Sequence, residues 1–178
     1  CAPLAARQSW EQACAPQVAS QHLSVCVAPG MGPVLSVMEA WDTLRGKGPR
    51  RVLPTAVPAL MPNAPAATVG IELGAHGGIH APVSACASGA EAIAYGADLI
   101  SLGRADVVVA GGTDAALHPM TVAAFGAMRA LSTRNADPQT APRPFAPDRD
   151  GFVLGEGSGL LVLEGAAHAK ARGARILA

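Results

Sequence analysis

The rest of this chain is organised around the segment Pro82-Val-Ser-Ala-Cys86-Ala-Ser-Gly89-Ala-Glu-Ala92. The segment before it, residues 77–84, contains small residues and Val83 and has little helical character, so it predicts an extended strand. After it, apolar residues recur at helical spacing over residues 90–102, which predicts a helix. Cys86 is therefore expected where a strand passes directly into a helix.

That position bears on the reactivity of the Cys86 thiol. A thiol at a helix N-terminus faces unpaired backbone N–H groups and the positive end of the helix dipole, and both favour the thiolate. The small residues around Cys86 also leave room for a substrate carbonyl, so the pattern predicts an activated nucleophile. A free cysteine in an alanine-rich chain is also a common filler of a protein core, and its position alone leaves that alternative open.

The composition restricts the classes of function. Of the 178 residues, 50% are hydrophobic but only 3% are aromatic, so the interior must be packed mainly with small and branched aliphatic side chains. The formal net charge is zero, which argues against nucleic acid or an anionic membrane as a partner. No segment has the length of a transmembrane span and the first residues do not resemble a signal peptide, so the cytoplasm is the predicted location.

The sequence predicts no metal site and no cofactor. The four cysteines show no C-x-x-C pairing and no histidine spacing typical of zinc. Gly155, Gly157 and Gly159 lack the spacing of a dinucleotide site and precede a predicted strand rather than follow one. The chain also has no Walker A lysine. We expect these glycines to allow close backbone approach at the edge of a sheet.

Strands and helices alternate along the chain, which predicts an α/β layered fold. Buried strands are expected at residues 22–27, 106–110 and 160–163, with a turn at residues 111–114 and irregular, proline-rich backbone at residues 52–64. Residues 132–149 read as a long surface loop. Its charged residues predict an ion-pair network that holds the loop; they are Arg143, Asp148, Arg149 and Asp150.

Acyl chemistry on a cysteine generally needs an imidazole nearby, and the sequence supplies no clear one. His80 precedes Cys86 on the predicted strand, so the two should lie about 20 Å apart at about 3.3 Å per residue. His118 follows the expected turn and could reach the same edge of the sheet, although a loop histidine is the commoner case. Phe125 stands among small neighbours, and both core packing and pocket lining remain open for it.

Several long motifs in register resemble those of a known family. They are Leu60-Met-Pro-Asn63, Val83-Ser-Ala-Cys86-Ala-Ser-Gly89, Asp106-Val-Val-Val-Ala-Gly-Gly112, Ala130-Leu-Ser-Thr-Arg-Asn135, Arg143-Pro-Phe145 and Asp148-Arg-Asp-Gly-Phe-Val-Leu-Gly-Glu-Gly157. In order and spacing the chain resembles bacterial 3-oxoacyl-[acyl-carrier-protein] synthases of the elongating, type II class, which are β-ketoacyl synthases. The resemblance extends from about residue 4 to the end of the chain.

The resemblance implies a thiolase-like fold of two similar α/β halves, each with a five-stranded sheet. It implies that Cys86 accepts the acyl group in a decarboxylative condensation with malonyl-carrier protein during fatty acid or polyketide elongation, and that the Cys86 N–H contributes to an oxyanion hole. Phe125 matches a phenylalanine that lines the acyl pocket. The implied partners are acyl carrier protein, with its acyl and malonyl forms as substrates, and a second copy of the chain, paired through residues 106–111 as an edge strand.

The family's two catalytic histidines, its lysine and its gating phenylalanine have no counterparts in this chain. By this comparison residues 1–178 are the central part of an incomplete β-ketoacyl synthase domain, truncated at both ends and inactive alone. An alternative is a non-catalytic partner subunit of the chain-length-factor type, but such subunits typically replace the nucleophile. A thiolase or a starter synthase would have different motifs around the cysteine, and a cysteine hydrolase would need a histidine partner within the chain.

Overall fold

The computed structural model, which describes residues 1–178, contains seven α-helices and four β-strands, with three helices in succession between the first and second strands. The helices are α1 (Ala2–Gln12), α2 (Val34–Lys47), α3 (Ala56–Leu60), α4 (Ala64–Leu73), α5 (Ser88–Ser101), α6 (Pro119–Ala127) and α7 (Ala166–Ala171). The strands are β1 (Leu23–Ala28), β2 (Ile79–His80), β3 (Val107–Asp114) and β4 (Gly157–Glu164). No helix combines the length and the apolar content that crossing a bilayer requires. The predicted α/β class is confirmed.

The four strands form one sheet in the order β2-β1-β3-β4. Strands β2, β1 and β3 are parallel, and β4 runs antiparallel to β3. The carboxyl ends of the three parallel strands therefore meet at one edge of the sheet, which we call the carboxyl edge. In α/β proteins this is the edge where ligands bind.

Helices cover both faces of the sheet because buried side chains of β1 and β3 alternate between the two faces. One core cluster contains Leu23, Val25, Val27, Val107 and Val109 together with residues of α1 and α4. The opposite cluster contains Cys26, Ala28, Val108 and Ala110 together with Ala92 and Leu99 of α5. The side chains in both clusters are mostly Ala, Val and Leu, as the low aromatic content predicts.

Strand β3 lies inside the sheet, so the expectation that residues 106–111 form an edge strand is wrong. Val109 pairs with Val25 of β1 on one side and with Val162 of β4 on the other. Both rows of backbone hydrogen-bonding groups are thus occupied, which leaves none to pair with a second copy. The outer strands of this sheet are β2 and β4.

Four local expectations also differ from the structure. Strand β2 ends at His80, well before Ser84, and Pro82 follows in the intervening loop, where it lacks the N–H that a ladder needs. Residues 111–114 continue β3 instead of turning, because they pair with residues 157–160 of β4. The proline-rich region contains the short helix α3. Strand β4 is not fully buried, since Leu161 is 51% exposed.

Ion pairs hold the loop of residues 132–149, as predicted, but their membership differs. Asp148 accepts hydrogen bonds from Arg143 at 2.7 Å and from Arg134 at 3.0 Å. Arg134 was missed by the sequence pattern, and it also lies 3.4 Å from Asp150. Arg149 does not join the ion pairs; its Nε donates to the carbonyl of Gly151.

Candidate active site

Cys86 lies at the start of helix α5, at the carboxyl edge of the sheet. It occupies the middle of a 3₁₀ turn, Ala85–Ala87, that passes directly into α5 at Ser88. The thiol-bearing residue is exposed, in contrast to the fully buried Cys26 of β1. The core-filler alternative is therefore excluded for Cys86, and the expected position at a helix N-terminus is confirmed.

The backbone just before Cys86 adopts an unusual conformation. Ala85 has a φ of +53°, in the left-handed region that non-glycine residues rarely adopt. This conformation turns the chain sharply between the loop that follows β2 and helix α5. Positive φ at a non-glycine residue concentrates at functional sites, where the surrounding structure holds the strained backbone in place.

Ser88 holds this turn with a single hydroxyl group. Its Oγ accepts a hydrogen bond from the N–H of Ser84 at 2.9 Å and donates one to the carbonyl of Ala85 at 2.7 Å. The N–H of Ala87 closes the same turn on the carbonyl of Ser84 at 3.2 Å. The N–H of Cys86 takes no part in these bonds.

The loop after β1 packs against the same turn. Asp114, the last residue of β3, accepts hydrogen bonds from the N–H groups of Gly30 at 2.8 Å and Met31 at 3.3 Å. A Cβ atom on Gly30 would lie only 2.7 Å from the Asp114 carboxylate and 3.2 Å from the Ala85 carbonyl. A side chain at this position would have to displace these atoms, so the loop is held closely between the end of β3 and the turn that carries Cys86.

No histidine side chain hydrogen-bonds to the Cys86 thiol. The ring of His80 packs edge-on against Tyr95, with centroids 4.9 Å apart, and burial lowers the pKa of this imidazole. Because β2 ends at His80, the premise of one continuous strand from His80 to Cys86 was wrong. His118 accepts the N–H of Met120 at its Nδ1 and so caps helix α6, which is a structural role.

Phe125 is half-buried on α6, and its aromatic partner is Phe152. Their ring centroids lie 5.2 Å apart with an interplanar angle of 81°, an edge-to-face arrangement. This contact anchors α6 to the end of the long loop. Lining of an acyl pocket by Phe125 stays a prediction.

Sequence reasoning missed Ser88 and Asp114. The signal for Ser88 was a serine at the predicted start of a helix, where its side chain commonly bonds to nearby backbone. For Asp114 the signal was an acidic residue at the end of a buried strand, but its partners in the loop after β1 are 83 and 84 residues away along the chain. No sequence pattern identifies such partners.

Comparison with known proteins decides which family this site belongs to. Residues 2–169 match the family model of the β-ketoacyl synthase N-terminal domain. This chain belongs to the β-ketoacyl synthase family. Among curated β-ketoacyl synthases, it is 47% identical over 173 residues to 3-oxoacyl-[acyl-carrier-protein] synthase 2 of Mycobacterium tuberculosis, covering 97% of this chain and 42% of that protein. The enzyme of the same name from Rhizobium meliloti is 46% identical, covering 86% of this chain and 37% of that protein.

Solved β-ketoacyl synthase structures share the fold described above. A β-ketoacyl synthase from Burkholderia phymatum superposes with a TM-score of 0.86 at 36% identity, covering 98% of this chain and 43% of that chain. A type II PKS ketosynthase, solved in complex with its acyl-carrier protein and bound to the hexaketide, gives a TM-score of 0.91 at 30% identity, covering 98% and 45%. The thiolase-like fold is confirmed, and this chain spans less than half the length of the relatives it matches.

Proposed function

We propose that this chain carries the acyl-accepting nucleophile of a 3-oxoacyl-[acyl-carrier-protein] synthase, an acyltransferase of fatty acid or polyketide elongation. The observation that carries the proposal is the position of Cys86, exposed in a strained turn at the N-terminus of α5. The helix dipole and the backbone N–H groups at that end stabilise negative charge that develops during acyl transfer. Family membership supplies the reaction class that uses such a nucleophile.

The reaction has two steps on Cys86. In the first, the Cys86 thiolate attacks the carbonyl of an acyl thioester on acyl carrier protein, and the carrier's sulfur leaves as a thiolate. In the second, malonyl-carrier protein loses carbon dioxide and the resulting carbanion attacks the acyl-Cys86 carbonyl. A carbon–carbon bond forms, the Cys86 thiolate leaves, and the chain grows by two carbons. The Cys86 N–H is a donor for the oxyanion of each tetrahedral intermediate, since no bond of the turn uses it.

The proposed macromolecular partners are acyl carrier protein, in its acyl and malonyl forms, and a second copy of the chain. The structure of a type II PKS ketosynthase with its acyl-carrier protein supports the first. For the homodimer, the outer strands β2 and β4 offer free edges. A particle mass from light scattering equal to one chain would contradict it. No cofactor enters the proposed chemistry, and the cytoplasm stays the predicted location.

We also propose that residues 1–178 belong to a longer synthase and do not catalyse condensation alone. The support is the lack of a histidine partner for Cys86 and the 42% coverage of the Mycobacterium tuberculosis relative. Decarboxylation and carbanion attack require groups that this chain does not place beside the thiol. A non-catalytic chain-length-factor-like subunit is the alternative, and the presence of Cys86 argues against it.

Acyl transfer from acyl-carrier protein tests the nucleophile directly. We expect peptide mass spectrometry to find the acyl adduct on Cys86 in a protein extended to the length of its relatives. In that protein, Cys86→Ala should abolish both adduct and condensation, whereas Cys14→Ala, at another exposed cysteine, should leave both unchanged. Condensation by Cys86→Ala would overturn the proposed function, and condensation by residues 1–178 alone would overturn the need for a second half.

A further inference from the structure

We propose that Ser88 is a positioning residue for Cys86. Its hydroxyl locks the turn of residues 84–88 in the one conformation that presents the Cys86 thiol and N–H to an acyl carbonyl. This inference deepens the proposed function and rests on it. It assigns Ser88 no contact with the substrate.

The Ser88 hydroxyl is buried in the protein interior. Ser88 is 1% exposed, and its Oγ bridges two backbone groups on either side of the Ser84–Ala85 peptide. It accepts from the N–H of Ser84 at 2.9 Å and donates to the carbonyl of Ala85 at 2.7 Å. Both the acceptor and the donor capacity of this side chain are therefore used on the two residues that directly precede Cys86.

Without the hydrogen bonds to the Ser88 hydroxyl, the backbone at Ala85 would relax to another conformation. Ala85 has a φ of +53°, which an alanine leaves for the right-handed or extended region unless something holds it. A change of φ at Ala85 rotates everything that follows it, and Cys86 is the next residue. The Ser88 hydroxyl fastens the carbonyl of Ala85 itself, so it opposes this rotation directly.

The loop after β1 packs against the turn but makes no hydrogen bond to it. Gly30 approaches the Ala85 carbonyl closely, and Asp114 bonds to the loop and not to the turn. Within the turn, the Ser88 hydroxyl makes two hydrogen bonds to backbone, the Ala87 N–H makes one, and the Ser88 N–H makes a fourth to the Ala85 carbonyl. Removing the hydroxyl removes two of these four hydrogen bonds.

The test is Ser88→Ala in the extended protein, measured by three readouts. These are the rate of Cys86 alkylation by iodoacetamide, the kcat and KM for acyl-carrier protein, and the melting curve. We expect the alkylation rate and kcat to fall about tenfold, with KM unchanged. Ser88→Thr, which retains the hydroxyl, should recover most of both rates.

Ser24→Ala is the matched control. Ser24 is a second buried serine, in β1, but its hydroxyl has no hydrogen-bond partner. We expect this variant to alkylate and turn over like the unsubstituted protein. Wild-type alkylation and kcat in Ser88→Ala, with Cys86→Ala inactive, would overturn the positioning role while leaving the proposed function intact. Activity in Cys86→Ala would instead overturn the proposed function.

A second pair of variants keeps the test decisive if Ser88→Ala does not fold. Ala85→Gly removes the penalty for positive φ, so combining it with Ser88→Ala should restore folding without restoring the hydroxyl. We expect the double variant to alkylate about tenfold more slowly than Ala85→Gly alone. Equal rates in the two would overturn the inference.

Discussion

Gly89, in the first turn of α5, lies directly against Gly112 of β3. A Cβ atom on Gly112 would lie 3.1 Å from the Cα atom of Gly89, and a Cβ atom on Gly89 would lie 3.3 Å from the Cα atom of Gly112. Two glycines thus allow helix and strand to meet backbone against backbone. Because Cys86 lies just before Gly89, this contact sets how closely Cys86 approaches the carboxyl edge of the sheet.

Gly112→Ala should destabilise the protein and displace Cys86. The added methyl group meets main chain that cannot move aside, and overpacking of this kind costs about 1–3 kcal/mol. We expect the midpoint of urea denaturation to fall and Cys86 alkylation to slow. Gly46→Ala in α2 is the control, because no atom lies within 4 Å of its Cβ position and the helix should gain about 0.5–1 kcal/mol. Equal stability of the two variants would contradict the prediction.

Asp114→Ala should release the loop after β1. The carboxylate accepts from the N–H groups of Gly30 and Met31, and hydrogen bonds to a charged group contribute about 2 kcal/mol. We expect a lower free energy of unfolding and faster proteolysis within residues 29–33. Asp98→Ala, at an exposed carboxylate on α5 with no ion pair, should change neither quantity. Unchanged proteolysis in Asp114→Ala would show that the loop is held by other contacts.

Lowering the pH should destabilise the long loop, because the Asp150 carboxylate becomes protonated. Hydrogen bonds from the Thr133 N–H and the Ser132 hydroxyl lower the pKa of Asp150 to about 2. A carboxyl group whose folded pKa lies below its unfolded value of about 3.9 adds stability above that value and loses it as the pH falls toward 2.

The measurement is the free energy of unfolding between about pH 5 and pH 2. We expect Asp150→Asn to flatten part of the decline seen in the unsubstituted protein, whereas Asp98→Asn should retain it. An identical slope in Asp150→Asn and the unsubstituted protein would show that the bonds to Asp150 are not linked to folding.

The four cysteines should differ in their reactivity toward alkylating reagents. Cys26 is 0% exposed, and burial raises the pKa of its thiol to about 11, whereas Cys1, Cys14 and Cys86 are exposed. We expect iodoacetamide at mildly alkaline pH to modify the three exposed cysteines in the folded protein, and Cys26 only after denaturation. Mass spectrometry of the intact protein counts the adducts. Rapid labelling of Cys26 in the folded state would mean that the β1 core opens readily.

Short-range sequence patterns were enough to predict much of this fold. The apolar run of β3, the helical spacing of α5 and the helix start after Cys86 were all predicted, because each depends on residues within a few positions of one another. The motifs around Cys86 likewise indicated the family, since they too are contiguous in the chain. Even the loop ion pairs followed from charge, although Arg134 was not among the residues expected.

The errors came from pairings between distant segments. Gly111 and Gly112 looked like a turn, but pairing with Leu160 and Gly159 of β4 extends them as strand. The same pairing places β3 inside the sheet, which removes it as an edge for a second copy. In each case long-range hydrogen bonding overrides local preference.

The amino-acid sequence alone determined that a cysteine stands at the start of a helix in a β-ketoacyl synthase chain. Tertiary structure decided which groups hold that cysteine in place. The Ser88 hydroxyl can bridge the turn only once Ala85 adopts a positive φ, and Asp114 meets Gly30 only when β1 and β3 lie side by side. Periodicity reports local geometry, whereas contacts between strand ends depend on how the whole sheet is ordered.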